Sequence, residues 1–258
     1  MNSYTTTYGD LPSAASSQAL TATSSLQWLR LAWNDMLAAP GTSLVLGVAF
    51  SGLCAVAYSA AIAMPMLTTL IATLLLAISP YLAATGYFVA RQREQAETPS
   101  LREAVANVRA HALSIGLFSL IMGLTMAAWV RLSTIAFALK YGVLGIDIAD
   151  ASQVLRSLPE GSAGLVFVLV AGFALAAFLF AVSVCSLPMI ADRNCGAIQA
   201  IRFSVRSLSD HAATLFVWMT LLTAAIGAAL ASSLTLMPIV FPLMAYATWH
   251  GYRQVSGG

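Results

Sequence analysis

The sequence predicts an all-α membrane protein: six transmembrane helices arranged as three helical hairpins, each preceded by a cytoplasmic amphipathic helix. Three observations predict it. Six long apolar stretches run through 258 residues, of which 59% are hydrophobic and only 9% charged; a hydrocarbon core about 30 Å thick needs roughly 20 mostly apolar residues per helix. Nearly every charge lies between the stretches, and the basic charges gather in alternate gaps. An amphipathic segment precedes each odd-numbered stretch. The chain is too long for one or two spans and too short for six spans plus a soluble domain of ordinary size, so nearly all of it is bilayer or juxtamembrane.

Residues 1–24, rich in Ser, Thr and Ala, read as a disordered, solvated cytoplasmic tail. They show no basic region followed by a short apolar core and a small-residue cleavage site, so no removable signal peptide is expected. Residues 25–255 read as a single six-span membrane domain with repeat units at about 25–95, 96–193 and 194–255. The spans are expected at about 42–63, 66–90, 112–135, 163–186, 212–233 and 236–251, the last short if straight. Leu26, Leu29, Trp33 and Leu37 precede span one, Leu101, Val105 and Val108 precede span three, and Ile198, Ile201, Val205 and Leu208 precede span five. Spacings of three and four place each set on one helical face, with Arg30, Arg102, Arg109, Arg202 and Arg206 free to meet headgroups. Ser100-x-x-Glu103 after Pro99 reads as a capping box opening the second of these helices. Each even span carries a proline: Pro80, Pro188 and Pro242. The middle unit departs from the pattern by a loop of about 25 residues in place of a tight outer turn.

Orientation follows from the arginines. Arg30, Arg91, Arg93, Arg102, Arg109, Arg193, Arg202, Arg206 and Arg253 fall on one side if the spans alternate, whereas the other side has only Lys140 and Arg156, beside Asp147, Asp150 and Glu160. The positive-inside bias then places both termini in the cytoplasm. The net charge of +2 hides this sorting.

Small residues four apart suggest close helix packing. Ser51, Ala55, Ser59 and Ala63 form such a stripe in span one, Ser119, Gly123 and Ala127 in span three, and Thr220, Ala224, Ala228 and Ser232 in span five. The stripes predict that spans one, three and five meet at the bundle centre. Arg131, the one charge within a span, continues the second stripe and is expected on that packing face; counted from His111 it lies twenty residues in, near the outer interface and beside Trp129. Two readings stay open: an arginine snorkelling to the outer headgroups, or a site residue paired with Asp147 or Asp150.

No Asp or Glu lies within a span, which counts against a proton-coupled carrier. Paired carboxylates, Gly-rich phosphate loops, GxSxG and His-Glu-x-x-His are all missing, so no enzyme is expected and no catalytic, cofactor or metal residue is assigned. His111, His211 and His250 all fall at cytoplasmic span ends, where convergence on a metal or haem competes with plain helix-end roles. Met64, Met66 and Met237 on the outer side suit bilayer packing better than soft Cu(I). Cys54, Cys185 and Cys195 form no CxxC pair, and reduced thiols are expected.

Several runs resemble an uncharacterised bacterial family of integral membrane proteins, some of whose members carry a cytochrome c oxidase subunit I-like label. They are Trp28-Leu29-Arg30-Leu31-Ala32-Trp33-Asn34-Asp35-Met36, Trp129-Val130-Arg131-Leu132, Leu187-Pro188-Met189-Ile190-Ala191-Asp192-Arg193 and Thr248-Trp249-His250-Gly251-Tyr252-Arg253. The resemblance covers roughly 25–255, with the ending Trp-His-x-Tyr-Arg as its most specific part, and implies a multi-pass protein of the bacterial inner membrane with no assigned activity. Three interfacial histidines cannot supply the ligands a catalytic oxidase subunit needs. These runs and the in-span charge single out Arg131, Asp192, Arg193, His250, Tyr252 and Arg253 as candidate functional residues. Two functions remain. The first is a non-catalytic accessory, assembly or envelope-interaction component, including one serving a respiratory complex. The second is a small-molecule or lipid permease with a cavity between the hairpin repeats. The partners expected are the lipid bilayer and a membrane-protein complex or a second copy of the chain, and not nucleic acid.

Overall fold

A computed structural model describes residues 20–21, 23–143, 158–193 and 195–257. Among these residues the regular structure is entirely helical. The elements are α1 (Ser24–Ala38), α2 (Pro40–Ala63), a 3-10 turn (Pro65–Leu67), α3 (Thr68–Glu94), α4 (Leu101–Ala110), α5 (Ala112–Val143), α6 (Leu158–Ser183), α7 (Ser186–Arg193), α8 (Ala197–Asp210), α9 (Ala212–Ala231) and α10 (Met237–Val255). The expected tail, up to residue 19, and the loop acids Asp147 and Asp150 lie outside the described residues.

Among the described residues five segments are long and apolar enough to cross a bilayer: Pro40–Ala63, Leu70–Glu94, Ala112–Ser133, Val170–Arg193 and Ala212–Ala231. The segment expected as a sixth span is α10, which is not among them. Its carboxyl half carries Trp249, His250, Tyr252 and Arg253, and it packs against α1, α2 and α3. A helix surrounded by protein can carry polar groups that lipid would reject.

The prolines shape α3, α7 and α10 by removing one backbone donor each. Pro80 leaves the Leu76 carbonyl without its helical partner, and Ser79 Oγ donates to that carbonyl over 3.2 Å, so α3 stays continuous. Pro242 does the same to the Pro238 carbonyl, and this oxygen lies against Gly47 of α2, where an added Cβ would sit only 1.9 Å from it. A Cα–H of Gly47 therefore covers the orphaned oxygen. Pro188 coincides with a break: the helix stops at Ser183 and resumes at Ser186. There Ser204 of α8 inserts its hydroxyl into the ladder, accepting from Cys185 N at 3.1 Å and donating to Ala181 O at 2.7 Å. The inserted hydroxyl stands where a direct Cys185-to-Ala181 backbone bond would be.

The bundle is centred on α3 and α10, not on the odd-numbered spans. Close contacts join α10 to α1, α2 and α3, and α3 to α5, while no extensive contact joins any two of α2, α5 and α9. At the α3–α10 crossing Gly86 admits Ala245, and Phe50 of α2 stacks on Phe241 with ring centroids 3.9 Å apart. This corrects the small-residue stripes. Ala55, Ser59 and Ala63 are exposed, as are Thr220, Ala224 and Ala228; only Ser119 and Gly123 are buried, and Gly123 faces Thr73 of α3. Each step of four residues advances a helix face by about 40°, so three steps carry a stripe about 120° round the axis. The same rotation takes Arg131 off the packing face, and it is exposed.

The short helices divide by face. In α1, Ser25, Trp28 and Ala32 are buried, whereas the apolar stripe Leu26, Trp33 and Leu37 points outward and Arg30 lies beside it. Helix α8 repeats this: Ala200, Phe203 and Ser207 are buried, Ile198 and Val205 are exposed, and Arg202 and Arg206 lie on the remaining sector. Each helix thus carries a buried, an exposed apolar and an exposed basic sector, the pattern that suits a helix lying in a membrane surface. Helix α4 differs, because Val108 and Ala104 turn inward. Its Ser100 cap accepts from Glu103 N at 3.4 Å. The reciprocal bond of the expected capping box is supplied from α3 instead: Gln92 Oε1 accepts from Ser100 N at 3.0 Å, while Gln92 Nε2 donates to Glu103 at 3.3 Å.

Candidate functional site

The carboxyl ends of α3, α7 and α10 meet beside the end of α1 in a network built on three carboxylates. Asp192, at the end of α7, accepts from Tyr252 OH at 2.9 Å, with Arg253 Nη1 at 3.6 Å and Arg193 Nε at 3.7 Å. Glu94, at the end of α3, takes Arg253 Nε at 3.0 Å on one oxygen and Trp249 Nε1 at 3.0 Å on the other. Asp35 of α1 accepts from His250 Nε2 at 2.7 Å and has Arg93 Nε at 3.9 Å. The His250 bond requires its proton on Nε2, since an ionised carboxylate only accepts. Arg253 bridges Glu94 and Asp192, joining two of the three centres.

Local sequence explains the convergence. Trp249, His250, Tyr252 and Arg253 occupy little more than one turn of α10, so they fan outward in different directions and each reaches a different neighbour. Gly251 is required here because Trp28 of α1 lies flat against it, with an added Cβ placed 2.9 Å from the indole. The same indole donates to Gln254 Oε1 at 2.6 Å and meets Trp218 edge-on at 5.6 Å. Burial, followed by the Asp192 carboxylate, pushes the Tyr252 phenol well above its usual range. It therefore serves as a hydrogen-bond donor to a carboxylate and keeps its proton near neutral pH.

Of the six sequence-selected residues, Asp192, Arg193, His250, Tyr252 and Arg253 come together; Arg131 stands apart, exposed on α5. Its suggested partners Asp147 and Asp150 are outside the described residues. Sequence reasoning missed Asp35, Glu94 and Trp249. Their signal was the position of each carboxylate within a turn of a helix end that also carries arginine or faces one. The histidines do not share a partner: His111 Nδ1 lies 2.7 Å from Asn107 O, whereas His250 pairs with Asp35. Among the described residues no three His, Cys, Asp or Glu side chains come together as a metal would require.

Inside the bundle, towards the other end, a hollow of about 540 Å³ takes one wall from each long helix, with Phe50, Ala83, Met122, Phe180, Ile226 and Phe241 as representatives. The hydroxyls of Ser79, Ser183 and Thr248 on this wall donate to carbonyls of their own helices. What they present to the interior is apolar.

The helices that frame both features bear the recognisable part of the sequence. Residues 67–192 match the family model described as predicted integral membrane protein (DUF2189). The match runs from the 3-10 turn through α7, and so includes Arg93, Glu94, Arg131 and Asp192. It is narrower than the resemblance over 25–255: Asp35, His250, Tyr252 and Arg253 lie outside it. The network therefore joins the matched segment to the flanking helices. No curated protein and no solved structure matches the chain.

Proposed function

We propose that the chain is a non-catalytic, six-span protein of the bacterial inner membrane, with both termini cytoplasmic, that acts as an accessory or assembly component through its cytoplasmic face. The observation that carries this reading is the charged end: three internally paired carboxylates hold the helix ends together, while Arg30, Arg102, Arg109 and Arg202 remain exposed on the short helices around them, as does Arg206, which also meets Asp210 of its own helix at 3.7 Å. Charges committed to one another serve structure. Exposed arginines on a membrane-surface helix can meet anionic lipid or the acidic face of a partner complex. In this reading the sixth span is α10 from Met237 to Gly251, about 22 Å long for 15 residues at 1.5 Å each and so short if straight, and it closes the third hairpin with α9 while Tyr252 and Arg253 lie beyond it. A permease for polar solutes is disfavoured by the apolar wall of the central hollow.

The test is co-purification of full-length protein from native membranes in mild detergent, comparing wild type with Arg202→Glu/Arg206→Glu. The expected result is a larger assembly that the variant loses while remaining folded. A lone, monodisperse wild-type protein, together with an unchanged phenotype for the variant, contradicts the proposal.

A further inference from the structure

We infer that the central hollow is a binding site for one acyl chain of a membrane phospholipid, entering sideways beside α9. The hollow is elongated: a second space of about 420 Å³, lined by α2, α3 and the turn after α9, shares Cys54 and Leu230 with the first. Together they form an apolar passage along α2 from the level of Pro80 towards the turn at Pro65–Leu67. Its wall carries no cationic side chain, and three of its hydroxyls are committed to backbone carbonyls. A headgroup or a free carboxylate finds no counter-charge there, whereas a methylene chain meets a predominantly apolar wall, with Tyr58, Thr68 and Ser233 confined to the second space.

The entry is set by loose packing of one helix. No extensive contact joins α9 to α2 or to α6, and the wall residues Ile226 and Leu230 of α9 are 45% and 60% exposed. The gaps lie at the depth of a span, where bilayer acyl chains are the surrounding medium. At the opposite end the passage is closed: Tyr87 and Thr248 form its floor, and beyond them lie Trp249, Tyr252 and the ionic network. A chain can thus be held with its headgroup left at the membrane surface. An empty hollow would leave its wall atoms without dispersion partners, and water would find little to bond.

The test uses full-length protein in detergent, stripped of lipid, incubated with dioleoylphosphatidylglycerol or with oleate, and read by native mass spectrometry. Wild type is expected to retain one phospholipid under conditions that strip surface lipid. Ala83→Trp, which fills the hollow from α3, lowers retention at least about tenfold, and Leu117→Trp, on the exposed face of α5, leaves it unchanged. No retained phospholipid, or equal retention in Ala83→Trp and wild type, overturns the inference. Retention of oleate in place of phospholipid overturns the assigned source. Should Ala83→Trp not fold, alkylation of wild-type Cys54 by N-ethylmaleimide decides: phospholipid slows Cys54 about tenfold and leaves Cys195 unaffected if the chain occupies the passage, and slows neither or both equally if it does not.

Discussion

Gly47→Ala is expected to separate α2 from α10, whereas the same change five residues further on, at Gly52, is expected to favour the helix. The added Cβ at position 47 would lie 1.9 Å from Pro238 O, and real Cβ contacts essentially never fall below 3.0 Å, so the two helices must part by at least 3.0 − 1.9 = 1.1 Å locally. The obstacle is backbone, which cannot rotate away, and the carbonyl it meets has already lost its helical donor to Pro242. Overpacking of this kind costs about 1–3 kcal/mol, with the exposed carbonyl adding to it. Gly52, on the same helix, has nothing within 4 Å of an added Cβ. Replacing glycine by alanine in an open helix interior favours the helix by up to about 1 kcal/mol. The two variants should therefore move stability in opposite directions in equilibrium unfolding from mixed micelles. Equal stability of Gly47→Ala and Gly52→Ala would refute the packing of α2 on α10.

Three further predictions concern the charged end and the broken helix. Tyr252→Phe removes a hydrogen bond to a carboxylate and should cost about 1.5–3 kcal/mol at neutral pH, measured by unfolding in detergent. Because the folded protein holds this phenolic proton to higher pH than the unfolded chain does, its contribution is fully present below the ordinary phenol value of about 10 and is lost as pH rises through the folded value. Tyr252→Phe should accordingly show a shallower alkaline decline than wild type, and an identical pH profile would count against the assignment. A double-mutant cycle on Glu94 and Arg253 should give a favourable coupling of about 1 kcal/mol or less, because both side chains keep about a third of their exposure; zero coupling would leave packing and the Trp249–Glu94 hydrogen bond to hold α3 to α10 there. Ser204→Ala leaves Cys185 N and Ala181 O without their shared hydroxyl and should destabilise by about 1–3 kcal/mol, with faster amide exchange at Cys185 as the local readout.

What could be read in the sequence and what could not divide along physical lines. Hydropathy located the five segments long and apolar enough to span, because lipid imposes apolarity on any helix it surrounds. The same rule underdescribes α10, whose neighbours are protein. Charge sorting placed the arginines at one end, but which carboxylate each one meets depends on helix rotation and on contacts between residues as far apart as Asp35 and His250. The stripes failed for that reason: spacing by four identifies a face only over about two turns, and over three steps it drifts from buried to exposed, as Ser119 and Arg131 illustrate. Pro188 marked the break between α6 and α7, yet nothing local to it announced Ser204 as the hydroxyl that fills the gap.

The most direct measurement is disulfide formation in intact inverted membrane vesicles by Glu94→Cys/Arg253→Cys, with each single variant labelled from either side by a membrane-impermeant maleimide. The account predicts an intrachain crosslink and labelling of both positions from the cytoplasmic side only. Failure of the pair to crosslink, or labelling of position 94 from the periplasmic side, would contradict a cytoplasmic network that ties α3 to α10.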